Sequence, residues 1–439
     1  MRITGLELLT MDPPGTRRTG DLRIAGDRIA AVGDLAPIPG ESTLDGRGLT
    51  AVPGFVQTHV HFCQTLFRGV ADDLPLLPWL RQRIWPLEAA HTPDSVRASA
   101  ELSVFELLSG GTTAVQVMES VHHVAESFAV AEASGLVAIL GNCLMDRADP
   151  AVPKPLQQDT AQALDQAAAL AERFDGRHGR LFYALSPRFI LSCTDTLLRA
   201  VARLAAARGL RIHTHCAEHP DEVAAVRQAT GKGNLQALAD LGLLGARTGL
   251  AHCVHLAEDE RALLARSGAA VLHCPSTNLK LGSGLAPVAD YLDRGIRVGL
   301  GADGAACNNR LDALTELRLA ALLQKVVAGP QALPAATALW LATRGGAQAL
   351  GLDQEIGSLT PGKRADFNLF RLEAPHLLPG GSAESRIVYA ASRSDIAMTF
   401  LGGTVVARDG VCVQSAADQV AQRARVAGAA LLQRAGLTR

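Results

Sequence analysis

Hydrophobic and polar positions change rhythm twice along the chain. Over residues 1–52, short β-branched runs (Leu22-Arg23-Ile24-Ala25, then Arg28-Ile29-Ala30-Ala31-Val32) alternate with turn pairs at Gly26-Asp27, Gly33-Asp34 and Asp45-Gly46, which predicts a string of antiparallel strands. The same texture returns at 366–370, 396–401, 404–407 and 411–413, punctuated by Gly402-Gly403 and Asp409-Gly410. A small β-domain built from both chain ends therefore encloses the middle as one insertion. In that middle, apolar strand candidates lie near 55–60, 113–118, 137–143, 181–186, 210–216, 248–254, 269–274 and 297–302. Stretches rich in Ala, Leu, Glu and Arg separate them, with helical periodicity at 196–208, 259–266 and 312–324.

Strands alternating with helices in this number predict an α/β fold, a (β/α)8 TIM-type barrel. A doubly wound open sheet is the structural alternative, but no GxGxxG follows the first strand. Residues 156–172 read as an exposed surface helix and 416–434 as an amphipathic terminal helix. The predicted domains are a β-sandwich from 1–53 and 362–415, the barrel from 54–361, and a C-terminal helix from 416–439.

Composition narrows the class. A chain of 439 residues that is 48% apolar and 19% charged has ample material for a large core, which excludes disorder as its main state. With 42 basic and 43 acidic residues, a net charge of -1 and no Lys/Arg block, nucleic acid is not the expected partner. No apolar run approaches the ~20 residues of a membrane span, and the first residues lack the apolar core of a signal peptide. Eight cysteines without CxxC spacing read as reduced, mostly buried thiols of a cytoplasmic protein.

The candidate chemistry sits at strand ends, where barrels carry their reactive groups. His59 and His61 end the first barrel strand, and i, i+2 spacing turns both imidazoles to one face, able to share a cation. Three further strand ends carry matching groups: His213-Thr214-His215-Cys216-Ala217-Glu218, Ala251-His252-Cys253-Val254-His255, and Gly301-Ala302-Asp303-Gly304. A barrel gathers these ends into a ring around one pocket. Strand alternation turns Cys216 and Cys253 to the opposite face, away from any metal.

With its HxH after Pro53-Gly54, HxxE on strand five, AHCVH on strand six and GADGA with Asn308-Asn309 after strand eight, the chain resembles the amidohydrolase superfamily. The likeness is to its mononuclear deaminase and chlorohydrolase branch, and the stretch from Ile356 to Asp366 matches that family's return into the β-domain. The resemblance implies metal ligands His59, His61, His215 and Asp303, holding one Zn²⁺ per chain, with Fe²⁺ as the alternative ion. A second metal in this superfamily needs a bridging Lys on the fourth strand, and 181–189 contains none. The implied roles are Glu218 as proton shuttle, His252 as hydrogen-bond partner of the attacking oxygen, and Asp303 as ligand and final proton donor. His213, His255 and His273 are left as supporting residues.

The loop after strand one, with Gln64 near its start and Arg83-Ile84-Trp85-Pro86-Leu87-Glu88 near its end, resembles that of deaminases acting on 5'-deoxyadenosine, methylthioadenosine and S-adenosylhomocysteine. That likeness gives Glu88 the ribose hydroxyls, as suits an acceptor-only carboxylate, and lets Trp85 wall the sugar or base. The strand-four end, Ser186-Pro187-Arg188-Phe189, together with Gln64 resembles guanine deaminases instead, where Arg, Phe and Gln grip the purine. The expected function is a zinc-dependent hydrolytic deaminase of an adenine nucleoside. A guanine-type base deaminase, an s-triazine amino- or chlorohydrolase, and a non-catalytic assembly protein on the same fold are the alternatives. The expected partners are a small purine substrate and further copies of the chain as a homo-oligomer, with neither nucleic acid nor membrane.

Overall fold

The computed structural model describes residues 1–13 and 15–437. Its central sheet has the nine strands Phe55–His61, Thr112–Glu119, Val137–Leu144, Leu181–Pro187, Arg211–Cys216, Thr248–His252, Ala270–His273, Arg297–Leu300 and Asp303–Gly304. They lie side by side in chain order, except that the last returns to pair with the first. Asp303 stands opposite Val60 and Gly304 opposite His61, so the eighth barrel strand, broken after Leu300, closes the ring. Closure brings two backbones close: a Cβ on Gly301 would lie 2.5 Å from the His59 carbonyl oxygen, and Thr58 Oγ1 donates to the Leu300 carbonyl at 3.1 Å. Glycine is required at 301 because no side chain fits there.

The helices between strands follow their caps. The stretch expected as a helix over 156–172 is helical over Thr160–Phe174 instead, because Asp159 accepts from the Ala161 and Gln162 amides and fixes the start. Nor is it exposed all round, since Ala163, Ala167, Ala171 and Phe174 face inward at a helical step. Asp195–Arg208 starts on the Thr194 hydroxyl and stops at Gly209, whose φ of 64° ends the helix. Asp312 caps Ala313–Ala328 in the same way. The terminal helix, Ala417–Arg434, seats Leu431 in an apolar cluster with Trp79, Trp85 and Phe189, and Arg423 pairs with Glu101 at 2.8 Å.

Strands from both chain ends form one separate, mostly antiparallel sheet. Leu49–Pro53 from the N-terminal side pairs antiparallel with Phe367–Arg371 from the C-terminal side, setting Ala51 opposite Leu369. Its core contains Ile3, Leu6, Leu8, Leu22, Phe367, Leu369 and Phe400, with the Phe367 and Phe400 rings stacked 4.4 Å apart. The described residues divide into two compact units: one of 1–57, 105–114 and 312–417, and another of 58–104, 115–311 and the residues from 418 onward. Among them no helix is long and apolar enough to cross a membrane.

Candidate active site

Three strand ends leave regular geometry where their chemistry begins. Ala217 (φ 50°), His252 (φ 72°) and Asp303 (φ 62°) all adopt the left-handed conformation that non-glycine residues avoid. Backbone strain of this kind persists where the surroundings over-determine it, commonly at functional sites. Here it turns each chain sharply at the carboxyl end of its strand.

The ring predicted from sequence assembles. One ligand-type atom from each of His59, His61, His215 and Asp303 lies within 4.8 Å of the others. The second nitrogen of each imidazole is anchored: His61 Nδ1 on the Met118 carbonyl, His215 Nδ1 on the Arg188 carbonyl and His59 Nδ1 on His213 Nε2, all at 2.7 Å. Carbonyls only accept, so Nδ1 of His61 and of His215 carries a proton, and in the neutral ring this turns the Nε2 lone pair inward. His59 Nε2 is buried without a hydrogen-bond partner. Burial holds His215 well below the ordinary imidazole range and lowers His59 as well, so both are neutral. His59 Nε2 and His61 Nε2 stand 3.2 and 3.1 Å from Asp303 Oδ1. Bare lone pairs converging on one carboxylate repel unless a cation stands among them. The donor set fits a divalent metal.

Glu218 and His252 flank this ring. Glu218 Oε2 lies 3.4 Å from His252 Nε2, which lies 3.8 Å from Asp303 Oδ2. Burial, and after it the Asp303 charge, pushes the Glu218 carboxyl well above the usual range. Burial likewise lowers His252 to about 4. Glu222, for which sequence reasoning suggests no role, is buried and accepts the Glu218 amide at 2.7 Å and the Ala217 amide at 3.3 Å. A local signal for it exists. His219 caps the helix Pro220–Thr230, and Glu222, three positions on, is placed where an acidic side chain can reach back over the helix start.

Further supporting residues come from elsewhere in the chain. His213 is the brace of His59. Asn278 holds His252 Nδ1 at 3.0 Å, and His255 Nε2 meets the Ser283 carbonyl at 2.5 Å. His273 is buried without a side-chain partner, and burial drives it to about 3. The neighbouring Cys253 side chain, and after it burial, pushes the Cys216 thiol well above its ordinary range. It is Cys274, which the sequence reading passed over, that approaches both His252 and Asp303.

Sequence reasoning set Glu88 and Arg188 as marks of rival substrates, but in the fold they are one buried ion pair. Arg188 donates through Nη1 to Glu88 Oε2 at 2.6 Å and through Nη2 to Oε1 at 3.2 Å, and Gln64 Nε2 adds a bond to Oε1 at 3.1 Å. Burial opposes the guanidinium charge, yet Glu88 outweighs burial and raises Arg188 above its ordinary range. Trp85 and Phe189 belong to the apolar cluster that also holds Leu66, Ile84, Met118 and Cys143.

A model of the amidohydrolase family matches residues 50–406. The 5'-deoxyadenosine deaminase of Methanothermobacter thermautotrophicus is 40% identical over 411 residues, covering 93% of each chain. A 5-methylthioadenosine/S-adenosylhomocysteine deaminase of Pelotomaculum thermopropionicum is 38% identical over 92% of each chain. Among solved structures, an adenosine deaminase from Xanthomonas campestris with bound zinc superposes with a TM-score of 0.91 at 31% identity, over 100% of this chain and 98% of that one.

Proposed function

The chain belongs to the amidohydrolase family, and on that premise we propose that it is a zinc-dependent hydrolytic deaminase of an adenine nucleoside of the 5'-deoxyadenosine and 5'-thioadenosine class, releasing ammonia and the inosine-type product. The observation that carries this reading is the ring of His59, His61, His215 and Asp303 with Glu218 and His252 beside it, in a chain 40% identical to a 5'-deoxyadenosine deaminase. We assign the four ring residues as ligands of one Zn²⁺ per chain. When bound, zinc supplies the Lewis acidity that makes hydroxide available near neutral pH.

The protein's own groups handle the protons. Glu218, made more basic by burial, takes the proton of the attacking water and hands it to a purine ring nitrogen. His252 steadies the attacking oxygen, which requires a proton on Nε2 and an acceptor lone pair on Nδ1. Asn278 Oδ1 faces Nδ1, and turning the amide over so that Nδ2, otherwise without a partner, donates to Nδ1 supplies that match. Asp303 Oδ2, facing His252, takes the second proton from the added hydroxyl and passes it to the amino group, which leaves as ammonia.

The test is ammonia release across adenosine, 5'-deoxyadenosine, methylthioadenosine, S-adenosylhomocysteine and guanine. Turnover is expected on the 5'-modified adenosines, and turnover of guanine alone overturns the reading. Glu218→Gln should retain metal and lose at least ~10²-fold in kcat. The proposal extends to a cytoplasmic homo-oligomer. All eight cysteines are free and buried, as suits a reducing compartment, and exposed Leu322, Val326 and Val327 offer an apolar patch to a second copy.

A further inference from the structure

Glu88 offers less to a sugar than its type suggests. A carboxylate has about four lone-pair directions. Arg188 Nη1 takes one on Oε2, while Arg188 Nη2 and Gln64 Nε2 take both on Oε1. One direction on Oε2 is left, enough for one hydroxyl of a vicinal diol and not for two. The second acceptor stands next to it. Gln64 is fully buried, and its Oε1 has no hydrogen-bond partner. The amide cannot be turned over, because that would set its oxygen against the Glu88 carboxylate. Its Oε1 instead lies over Gly304, where an added Cβ would come within 2.0 Å. The missing side chain at 304 is what lets the acceptor sit beside Asp303. A buried acceptor with no partner is the exception in a folded protein and calls for a donor.

We propose that the two ribose hydroxyls are read by different residues, one by Glu88 Oε2 and the other by Gln64 Oε1. Gln64 is then a specificity-determining residue for the sugar and not a purine contact. Arg188 is a positioning residue that takes up the rest of Glu88 and enforces the division. This rests on the nucleoside reading above and names how that site recognises its substrate class.

The experiment compares kcat/KM of the wild type and of Gln64→Leu on 5'-deoxyadenosine and on its 2'-deoxy and 3'-deoxy counterparts. In the wild type each missing hydroxyl should lower kcat/KM about tenfold, the scale of a lost hydrogen bond to a buried partner. In Gln64→Leu one of those two losses should shrink to within about twofold while the other persists. Glu88→Gln should show the complementary pattern, and Gln64→Met serves if the Leu variant does not accumulate. Two undiminished losses in the Gln64 variants, or two that vanish together, overturn the division. So does an equal fall on free adenine, which would make Gln64 a base contact. A wild type inert toward every nucleoside overturns the substrate reading itself, a result distinct from an active enzyme whose hydroxyl losses ignore Gln64.

Discussion

The strand-end ring around Asp303 and the cluster around Glu88 are both buried and both built on a carboxylate, yet they settle that charge differently. Around Glu88 the protein supplies its own counterion, Arg188, at 2.6 Å, with Gln64 completing the shell. Around Asp303 it supplies three imidazoles whose outer nitrogens are tied to Met118, Arg188 and His213, and burial keeps those of His59 and His215 neutral. The first cluster has its charge balanced from within, and only two acceptor directions, on Glu88 Oε2 and Gln64 Oε1, stay open. The second converges donor atoms in the set that fits a divalent cation. Arg188 joins the two, since its guanidinium serves Glu88 while its carbonyl orients His215. A third buried carboxylate, Glu119, has neither solution. Its oxygens have no hydrogen-bond partner, and burial pushes it up to about 7, so it meets its burial by keeping a proton.

These three answers differ in what they predict. Chelation should have the largest effect: dialysis against a strong chelator should abolish deamination and lower the melting temperature, and zinc should restore both, as followed by elemental analysis and calorimetry. A protein that retains full activity without metal would erase the contrast between the ring and the Glu88 cluster. Next is Arg188→Met, which strands Glu88 without its counterion and should cost about 3–5 kcal/mol of unfolding free energy in denaturant. The double change Glu88→Leu with Arg188→Met should recover most of that, because a closed pair is replaceable by apolar packing where half a pair is not. Glu119 gives the smallest effect. Its folded pKa lies above its unfolded one, so the stability tied to its proton is complete below about pH 4.5 and is lost as pH rises through about 7. Glu119→Gln should remove that slope, so that unfolding free energies at pH 5 and pH 8 converge relative to wild type.

Features that depend on near neighbours were legible in the chain itself. The i, i+2 histidines and the strand–helix alternation follow from strand and helix periods that act over a few residues, and the structure has them where those periods put them, whereas Glu218 lies past the end of its strand and follows the turn at Ala217. Where sequence reading slipped locally, at the helix that starts at Thr160, a cap residue, Asp159, carried the missing signal. The left-handed turns at Ala217, His252 and Asp303 carried no such signal, because the surrounding fold imposes them against local preference. The partners of the charged side chains were beyond reach for the same reason. Glu88 and Arg188 are 100 positions apart, and His59 and His213 are 154 apart. Residue type told which groups could ionise, accept or bind metal. Which of them closed on each other, and which were left open for a cation or a hydroxyl, was decided only when barrel closure buried them together, since in water an Arg and a Glu so far apart in sequence have no reason to choose each other.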